Sequence, residues 1–220
     1  MFRFNFLLLF ILIFTPFQIV AQSQPDTLFG ELAEIAVVGY ETNTNILETA
    51  ASVAVVNAAT ISGLDDRSLL YGLNTVAGVR MEERASGSYR ISIRGSALRS
   101  PFGIRNVKVY WNNVPFTEPS GSTFLNLLDA TNMQSVEVLK GPAGSLYGAG
   151  NGGVLRIQST VPFFQNQLLT GLSIGSFGAL KYNAAYQFVT EKARFSLKYV
   201  DQYSDGYRQQ NFLDRQVVEL

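Results

Sequence analysis

The chain has 220 residues, with 17 basic and 17 acidic side chains and with neither histidine nor cysteine. This composition excludes thiol nucleophiles, disulfide frameworks, histidine general bases and nearly every zinc or non-haem iron site, and the balanced charge argues against a nucleic-acid partner. Charged residues make up 15% of the chain, below the roughly 25% of ordinary soluble domains, whereas Phe and Tyr are abundant. We therefore expect part of the protein to face an apolar environment.

The N-terminus has the pattern of a secretory signal. Arg3 precedes an unbroken apolar run from Phe6 to Phe14, and Ala21 is a small residue suited to cleavage. The run is far shorter than the ~18 residues that a spanning helix needs, so a membrane anchor is the weaker interpretation. We predict a signal peptide over residues 1–21.

Residues 22–45 are polar and lack periodicity, except for a short β-prone island at Glu34–Tyr40. An isolated strand on a polar tether is suited to pairing with the sheet edge of another protein. The alternative is an ordinary strand of the domain that follows.

A compact region is predicted from about residue 46 to residue 162. Apolar residues recur at helical spacing between Leu69 and Val76, and Gly78 is placed to cap that helix. The remaining apolar segments predict strands at Ser52–Val56, Arg90–Arg94, Val107–Tyr110, Val136–Leu139 and Val154–Ser159.

A glycine-dense run occupies Gly141–Gly153, and its second half satisfies the G-x-G-x-x-G spacing of a dinucleotide-binding loop. That loop requires a helix after the glycines, whereas a strand is predicted here, and no Lys-Ser/Thr pair of a phosphate-binding loop follows. The run is therefore predicted to let two stretches of backbone pack closely.

The pattern changes at about Leu168. Aromatic and aliphatic residues alternate with polar ones between Leu180 and Phe188, and again between Ala193 and Tyr199. Lys181 and Lys198 both fall on the polar face. With Leu168–Gly175 before these segments and another strand from Arg215, the pattern predicts an antiparallel meander. Such alternation is typical of a transmembrane β-barrel wall and also occurs in soluble β-sandwiches.

Four stretches together resemble the N-terminal part of TonB-dependent outer-membrane receptors. In chain order they are the island Glu34–Tyr40, which is similar to the TonB box; Ser92–Gly95, similar to an IRG signature; Val109–Pro115, similar to a V-x-x-D-G-V-P hairpin; and Ser135–Val154. Two departures are that Asn112-Asn113 replaces the common Asp-Gly of the hairpin and that the island lacks the usual threonine. Two asparagines can also adopt the positive φ angles that a tight turn requires.

The resemblance implies an α+β plug domain, a small mixed sheet with short helices, over residues 46–162. It further implies that residues 168–220 are the first three to four antiparallel strands of a transmembrane β-barrel, roughly 22-stranded in this family. Only 53 residues follow Gln167, so the barrel is expected to be truncated in this chain, as in a fragment of a longer receptor or a remnant of one.

The functional implication is energised uptake of a scarce nutrient across the outer membrane, with an iron chelate such as a ferric siderophore as the leading substrate. The implied partners are TonB, outer-membrane lipid and the small ligand; no catalytic residue, resident cofactor, metal or nucleic acid is implied. The TonB-binding residues would be Glu34, Ile35, Ala36, Val37, Val38 and Gly39. The alternative is a soluble periplasmic β-rich binding or adhesion module.

Ligand contacts are expected from plug loops at Glu82–Ser88, Ala97–Phe102 and Phe116–Ser122. Within or beside these loops, Arg84, Tyr89, Arg99 and Phe116 are the candidates for meeting an anionic or aromatic chelate. Structural roles in the plug are expected for Arg94, Glu137, Gly141, Pro142, Tyr147, Gly148 and Gly153. Buried charges on the strands need partners, and carboxylates of the barrel wall are the expected partners of Arg94.

Overall fold

The computed structural model describes residues 36–37, 44–45, 49, 51–96, 104–142, 144–148, 150, 152–159 and 163–220. The predicted signal peptide lies outside these ranges. The first described elements are two short strands, β1 (Ala36–Val37) and β2 (Thr44–Asn45), which pair antiparallel with each other.

A five-stranded mixed sheet forms the centre of the N-terminal part. Its strands are β3 (Val53–Asn57), β6 (Val107–Trp111), β7 (Val114–Pro115), β8 (Ser135–Lys140) and β9 (Gly153–Gln158), in the spatial order β3-β8-β9-β6-β7. The β6 and β9 strands run parallel, and the other neighbours are antiparallel. Both faces of the central strands are covered, because β8 and β9 carry four and five consecutive buried residues. The mixed sheet expected for the plug is confirmed.

Two helices and a hairpin cover this sheet, namely α1 (Ala58–Leu64), α2 (Leu70–Asn74), β4 (Val79–Ala85) and β5 (Ser88–Ile93). The sequence had predicted a single helix ending at Gly78. Instead Asn57 caps an additional helix by accepting from the Thr60 N–H at 2.9 Å. The second helix ends early because the Asn74 side chain bonds both backbone polar groups of Met81 and so fixes the turn into β4.

Shorter helical elements complete the N-terminal part. They are two single-turn 3₁₀ helices, Leu125–Leu127 and Ala130–Asn132, and α3 (Gly144–Tyr147), which lies inside the glycine run. Within the described ranges, no helix is long and apolar enough to cross a membrane.

Residues 167–219 form an antiparallel four-stranded meander of β10 (Gln167–Ile174), β11 (Leu180–Val189), β12 (Arg194–Ser204) and β13 (Leu213–Glu219). The predicted alternation is confirmed, since Tyr186, Phe188 and Leu197 are exposed on one face, whereas Lys181 and Lys198 are buried on the other. The buried face packs on the N-terminal part, within one compact unit that spans Glu34–Leu220.

Candidate functional site

A cavity of about 300 Å³ lies between the β4–β5 hairpin and two loops at one end of the meander, residues 175–179 and 205–212. The N-terminal part and the meander each contribute a wall. The charged and phenolic side chains that line the cavity are those of Asp65, Arg67, Tyr71, Glu83, Tyr89 and Tyr207. This mixture offers a ligand aromatic surface and hydrogen-bonding groups.

An ion pair fixes one side of the cavity. The Arg67 guanidinium binds the Asp65 carboxylate in a bidentate manner, with Nε donating to Oδ1 at 2.9 Å and Nη2 donating to Oδ2 at 3.0 Å. Burial alone would raise the pKa of the Asp65 carboxyl, but the hydrogen bonds and the charge of Arg67 together outweigh burial and lower that pKa. The pair is therefore ionised at neutral pH.

The β4–β5 hairpin brings two groups with raised pKa values to the cavity. Partial burial raises the pKa of the Glu83 carboxyl, although the backbone N–H of Gly87 donates to it at 2.8 Å. Burial also raises the pKa of Tyr89, which faces Glu83 across the hairpin, and the Glu83 charge adds to the effect. A neutral phenol beside a carboxyl is suited to donating a hydrogen bond to an anionic ligand.

Among the residues predicted to bind ligand, Tyr89 lines the cavity. Arg84 is exposed on the same hairpin and is the extra residue of a β-bulge, because Glu83 pairs with Tyr89 and Ala85 with Ser88. Bulges of this kind re-aim a side chain. Phe116 instead packs against the hydrophobic core.

The predicted loop Glu82–Ser88 is wrong in its extent, because the strands continue to Ala85 and resume at Ser88, which leaves a two-residue turn. Pairing with β5 keeps the charged residues Glu82–Arg84 in strand β4, although their sequence had suggested a loop. Arg99 and the rest of the loop Ala97–Phe102 lie outside the described residues.

The hairpin turn is tied to a loop of the meander. The Ser86 N–H donates to Asn211 Oδ1 at 2.9 Å, and the Ser86 hydroxyl donates to the Asn211 carbonyl at 3.0 Å. Phe177 and Tyr207 contact each other at the rim with ring centroids 6.4 Å apart, and the Arg208 guanidinium lies over the Tyr207 ring. A ligand in the cavity would therefore touch both connected parts at once.

Asp129 is the centre of a buried charge network between the N-terminal part and the meander. Its carboxylate caps the Ala130–Asn132 turn, accepts from Lys181 Nζ at 2.9 Å and pairs with Arg215 Nη2. The side chains of Asp129 and Lys181 are fully buried. Alternation predicted that Lys181 faces inward, but no local pattern marks Asp129 as its partner, because the two residues meet only in the tertiary structure.

A second inward lysine makes a similar contact with neutral acceptors. Lys198 Nζ donates to the carbonyls of Ser159 at 2.7 Å and Asn132 at 3.2 Å, and Glu219 lies 3.8 Å away on the neighbouring strand. The meander is thus attached to the N-terminal part mainly through cations of the meander and oxygens of the N-terminal part.

The glycine run behaves as predicted, since β9 follows it and the backbone packs closely. Gly153 has φ 144°, and a Cβ there would collide with the Leu139 carbonyl oxygen. A Cβ on Gly152 would lie 2.8 Å from the Asn106 carbonyl oxygen. Side chains at either position are excluded by backbone, which does not yield easily.

The other predicted structural residues take varied positions. Arg94 has φ 51° and its N–H donates to Gly78 O at 2.7 Å, while its guanidinium lies beside Gly141. Within the described ranges Arg94 forms no ion pair, so its expected partner on the barrel wall stays a prediction. Tyr147 packs edge-on against Tyr110 at 5.2 Å. Gly148 has φ 74°, and Pro142 is exposed.

The remaining predicted charge, Glu137, pairs with Arg156 at 2.8 Å in the interior of the sheet. Arg156 also donates to Asn113 Oδ1 at 2.7 Å. Asn112 and Asn113 have φ 48° and 68°, which confirms the tight turn predicted for this hairpin. In the predicted TonB-binding segment, Ala36 and Val37 are extended, while the other four residues lie outside the described ranges.

Comparison with known proteins agrees with this architecture. The "Vitamin B12 transporter BtuB" of Vibrio vulnificus is 27% identical over 165 residues, covering 72% of this chain and 26% of that protein. The ferric-catecholate import receptor Fiu of E. coli K12, in its closed form, matches with a TM-score of 0.65 at 20% identity, over 86% of this chain and 25% of that one. The ferric yersiniabactin uptake receptor FyuA of Yersinia pestis matches with a TM-score of 0.56 at 22% identity, over 70% and 24%.

These likenesses concern the fold, and the chain spans about a quarter of the length of each of these proteins. The N-terminal part corresponds to a plug domain, and the meander corresponds to the first strands of a receptor barrel. A family model described as the TonB-dependent Receptor Plug Domain matches residues 45–155, half of the chain. The chain therefore belongs to the TonB-dependent receptor plug domain family.

Proposed function

We propose that this chain is the plug-bearing N-terminal part of an outer-membrane receptor that takes up a scarce nutrient with energy delivered by TonB. The observation that carries the proposal is the cavity that the plug hairpin and the meander loops enclose together. Because both parts line it, a bound ligand would be sensed by the plug and by the barrel wall. The plug would face the periplasm and block the barrel until TonB acts on it.

The proposed substrate is an iron chelate of the siderophore class. The aromatic rim formed by Phe177 and Tyr207 offers stacking surface, and Arg208 lies over it. Tyr89 inside the cavity and Arg84 at the bulge would meet anionic groups of the chelate. Arg99, in the loop Ala97–Phe102, is proposed to contact the chelate as well, whereas Phe116 packs against the hydrophobic core. Similar structures include the ferric yersiniabactin uptake receptor FyuA, the ferric-catecholate import receptor Fiu and the siderophore receptor PiuA of Acinetobacter baumannii, which supports this substrate class.

TonB would bind the segment Glu34–Gly39 by strand addition. Main-chain hydrogen bonds supply most of the affinity in that mode, so the missing threonine matters little. Ala36 and Val37 are already extended in β1 and pair on one side with β2. An incoming TonB strand would either add beside β1 or replace β2 as its partner.

Deletion of the complete gene provides the test. We expect the deletion strain to grow poorly under iron limitation and to lose uptake of radioactive ferric siderophore, with both restored by the wild-type gene. Cobalamin is the second candidate, because the Vibrio vulnificus relative is a vitamin B12 transporter. A strain with normal iron uptake but impaired growth on limiting cobalamin would replace the first substrate with the second, and no defect in either would contradict the proposal.

A further inference from the structure

The inner face of the meander carries one polar row that crosses all four strands. Ser173 on β10 is paired with Lys181 on β11, Lys181 with Gln202 on β12, and Gln202 with Arg215 on β13. All four side chains therefore lie at one level and point toward the plug. Lys181 on β11 and Arg215 on β13 are separated by one strand, so their backbones lie about 10 Å apart. Two long side chains can reach across this distance to a shared anion.

The present occupant of this row is a carboxylate of the plug. Lys181 Nζ lies 2.9 Å from Asp129 Oδ1, and Arg215 Nη2 holds the other oxygen, Oδ2. The oxygens of one carboxylate are thus divided between the two cations. Such an arrangement is a general way to bind a carboxylate or a phosphate.

The plug contributes a second carboxylate to the row, because Ser173 Oγ donates to Asp66 Oδ2 at 2.5 Å, but the two cations themselves share only the Asp129 carboxylate. The other acceptors of the two cations are uncharged, namely the carbonyls of Asp66, Asn126 and Leu128 and the side-chain oxygen of Gln202. Arg215 Nε is buried and has no acceptor among the described residues. The two cations share the Asp129 carboxylate, and Arg215 Nε is a further donor that Asp129 does not use, so the pair can accommodate another anion in place of Asp129.

Apart from Gln202 Oε1, these acceptors belong to the plug. Displacement of the plug would remove the carboxylates of Asp129 and Asp66 and the three carbonyls in a single step. Lys181 and Arg215 would then face the barrel interior with a neutral amide between them. Two cations held close together on one face would then attract an anion that enters the barrel.

We propose that Ser173, Lys181, Gln202 and Arg215 form a latent anion site that Asp129 fills while the plug is seated, and that an anionic group of the transported ligand takes over when the plug moves. The ligand class is a carboxylate, or a phosphate or catecholate of similar size. The transport step rests on the proposed uptake function. The anion site itself does not, since it follows from the geometry of the row.

Chemical rescue tests the site in the complete receptor without any transport. Asp129→Ala opens the space between the two cations, and we expect a lower Tm that formate raises again as its concentration increases. Asp129→Asn, which fills the same space without charge, and Glu118→Ala, an exposed plug carboxylate, should gain nothing beyond wild type. Adding Arg215→Gln to Asp129→Ala should abolish the rescue. Equal effects of formate on every variant would overturn the proposal.

Charge-selective labelling tests exposure of the row and also decides the case if Asp129→Ala does not fold. The 220 residues of this chain contain no cysteine. In a complete receptor from which any other accessible cysteine has been removed, Gln202→Cys places a single reactive thiol between Lys181 and Arg215. In energised cells supplied with ferric siderophore, an anionic thiosulfonate reagent should react at least about tenfold faster than a cationic one, and Arg215→Gln should reduce this preference. Equal rates would contradict the anion site. Absence of labelling by either reagent, with formate rescue intact, would contradict the uptake function instead.

Discussion

Glu137 on β8 and Arg156 on β9 are paired on adjacent strands of the central sheet, with Oε2 and Nη1 2.8 Å apart. Both side chains are about nine-tenths or more buried. Arg156 extends the contact to the Asn112-Asn113 turn through Asn113 Oδ1. The pair thus connects the S-V-E-V-L-K-G-P segment to the hairpin, the two most recognisable motifs of the plug. Each charge compensates the other in the interior of the plug.

Glu137→Gln should destabilise the plug by about 3–5 kcal/mol, because the buried Arg156 cation loses its counter-charge. Hydrogen exchange of the β8 and β9 amides in the complete receptor measures the loss. Glu118→Gln, on an exposed turn, is the matched control and should change stability by less than about 0.5 kcal/mol. Unchanged exchange in Glu137→Gln would mean that the pair does not stabilise the sheet.

Gly153→Ala should be one of the most damaging single substitutions in the plug. The methyl group would collide with the Leu139 carbonyl oxygen, and φ 144° is unfavourable for alanine, so we expect a cost of at least about 2 kcal/mol. Gly63→Ala is the control, because nothing lies within 4 Å of the added Cβ and the residue lies in α1. That change should stabilise the helix by about 0.5–1 kcal/mol. Both effects can be measured by thermal unfolding, and a similar Tm for the two variants would contradict the close-packing role of the glycine run.

The raised pKa of Glu83 predicts a pH-dependent stability with a defined sign. The folded state holds the Glu83 proton more tightly than the unfolded state, so wild-type stability should fall as the pH rises from the unfolded pKa through the folded pKa. Glu83→Gln keeps an acceptor for the Gly87 N–H and removes this dependence. We therefore expect the Tm of Glu83→Gln to exceed that of wild type at pH 7 and to converge with it in acid.

The pH dependence expected for Asp65 has the opposite sign to that of Glu83. Because the pKa of Asp65 is lowered, its contribution to the free energy of unfolding is present above the unfolded-state pKa and is lost in acid. Asp65→Asn should therefore be less stable than wild type at pH 7 and should approach it as the pH falls. A difference between wild type and Glu83→Gln that does not vary with pH would contradict the assignment of the titrating group.

Val37→Pro should prevent capture by TonB. Proline has no N–H to donate, and strand addition depends on main-chain hydrogen bonds, so we expect binding to weaken by about tenfold or more. Val37→Thr retains the N–H and should bind as wild type does. Pull-down of the complete receptor by the periplasmic part of TonB measures both, and equal binding of the two variants would place the TonB contact elsewhere.

The local elements were largely predictable from periodicity. The sequence pattern located β5, β6, β8, β9 and the whole meander to within a few residues. The meander strands alternate because only one face is buried, whereas β8 and β9 are buried on both faces and are short, mostly apolar runs. The helix ending at Asn74 was overestimated and α1 was missed, since their lengths depend on side-chain caps. The hairpin strand β4 was also missed, because its charged half is stabilised by cross-strand pairing with β5.

The candidate site shows the same division. Sequence alone determined the plug motifs, the positive-φ turn at Asn112-Asn113, the close-packing glycines and the inward orientation of Lys181 and Lys198, because each follows from neighbours within a few residues. Only the tertiary structure decided which groups those lysines meet. Asp129 is 52 residues from Lys181 and 86 from Arg215 along the chain, and the free energy of a buried charge depends on partners that folding brings from such distances.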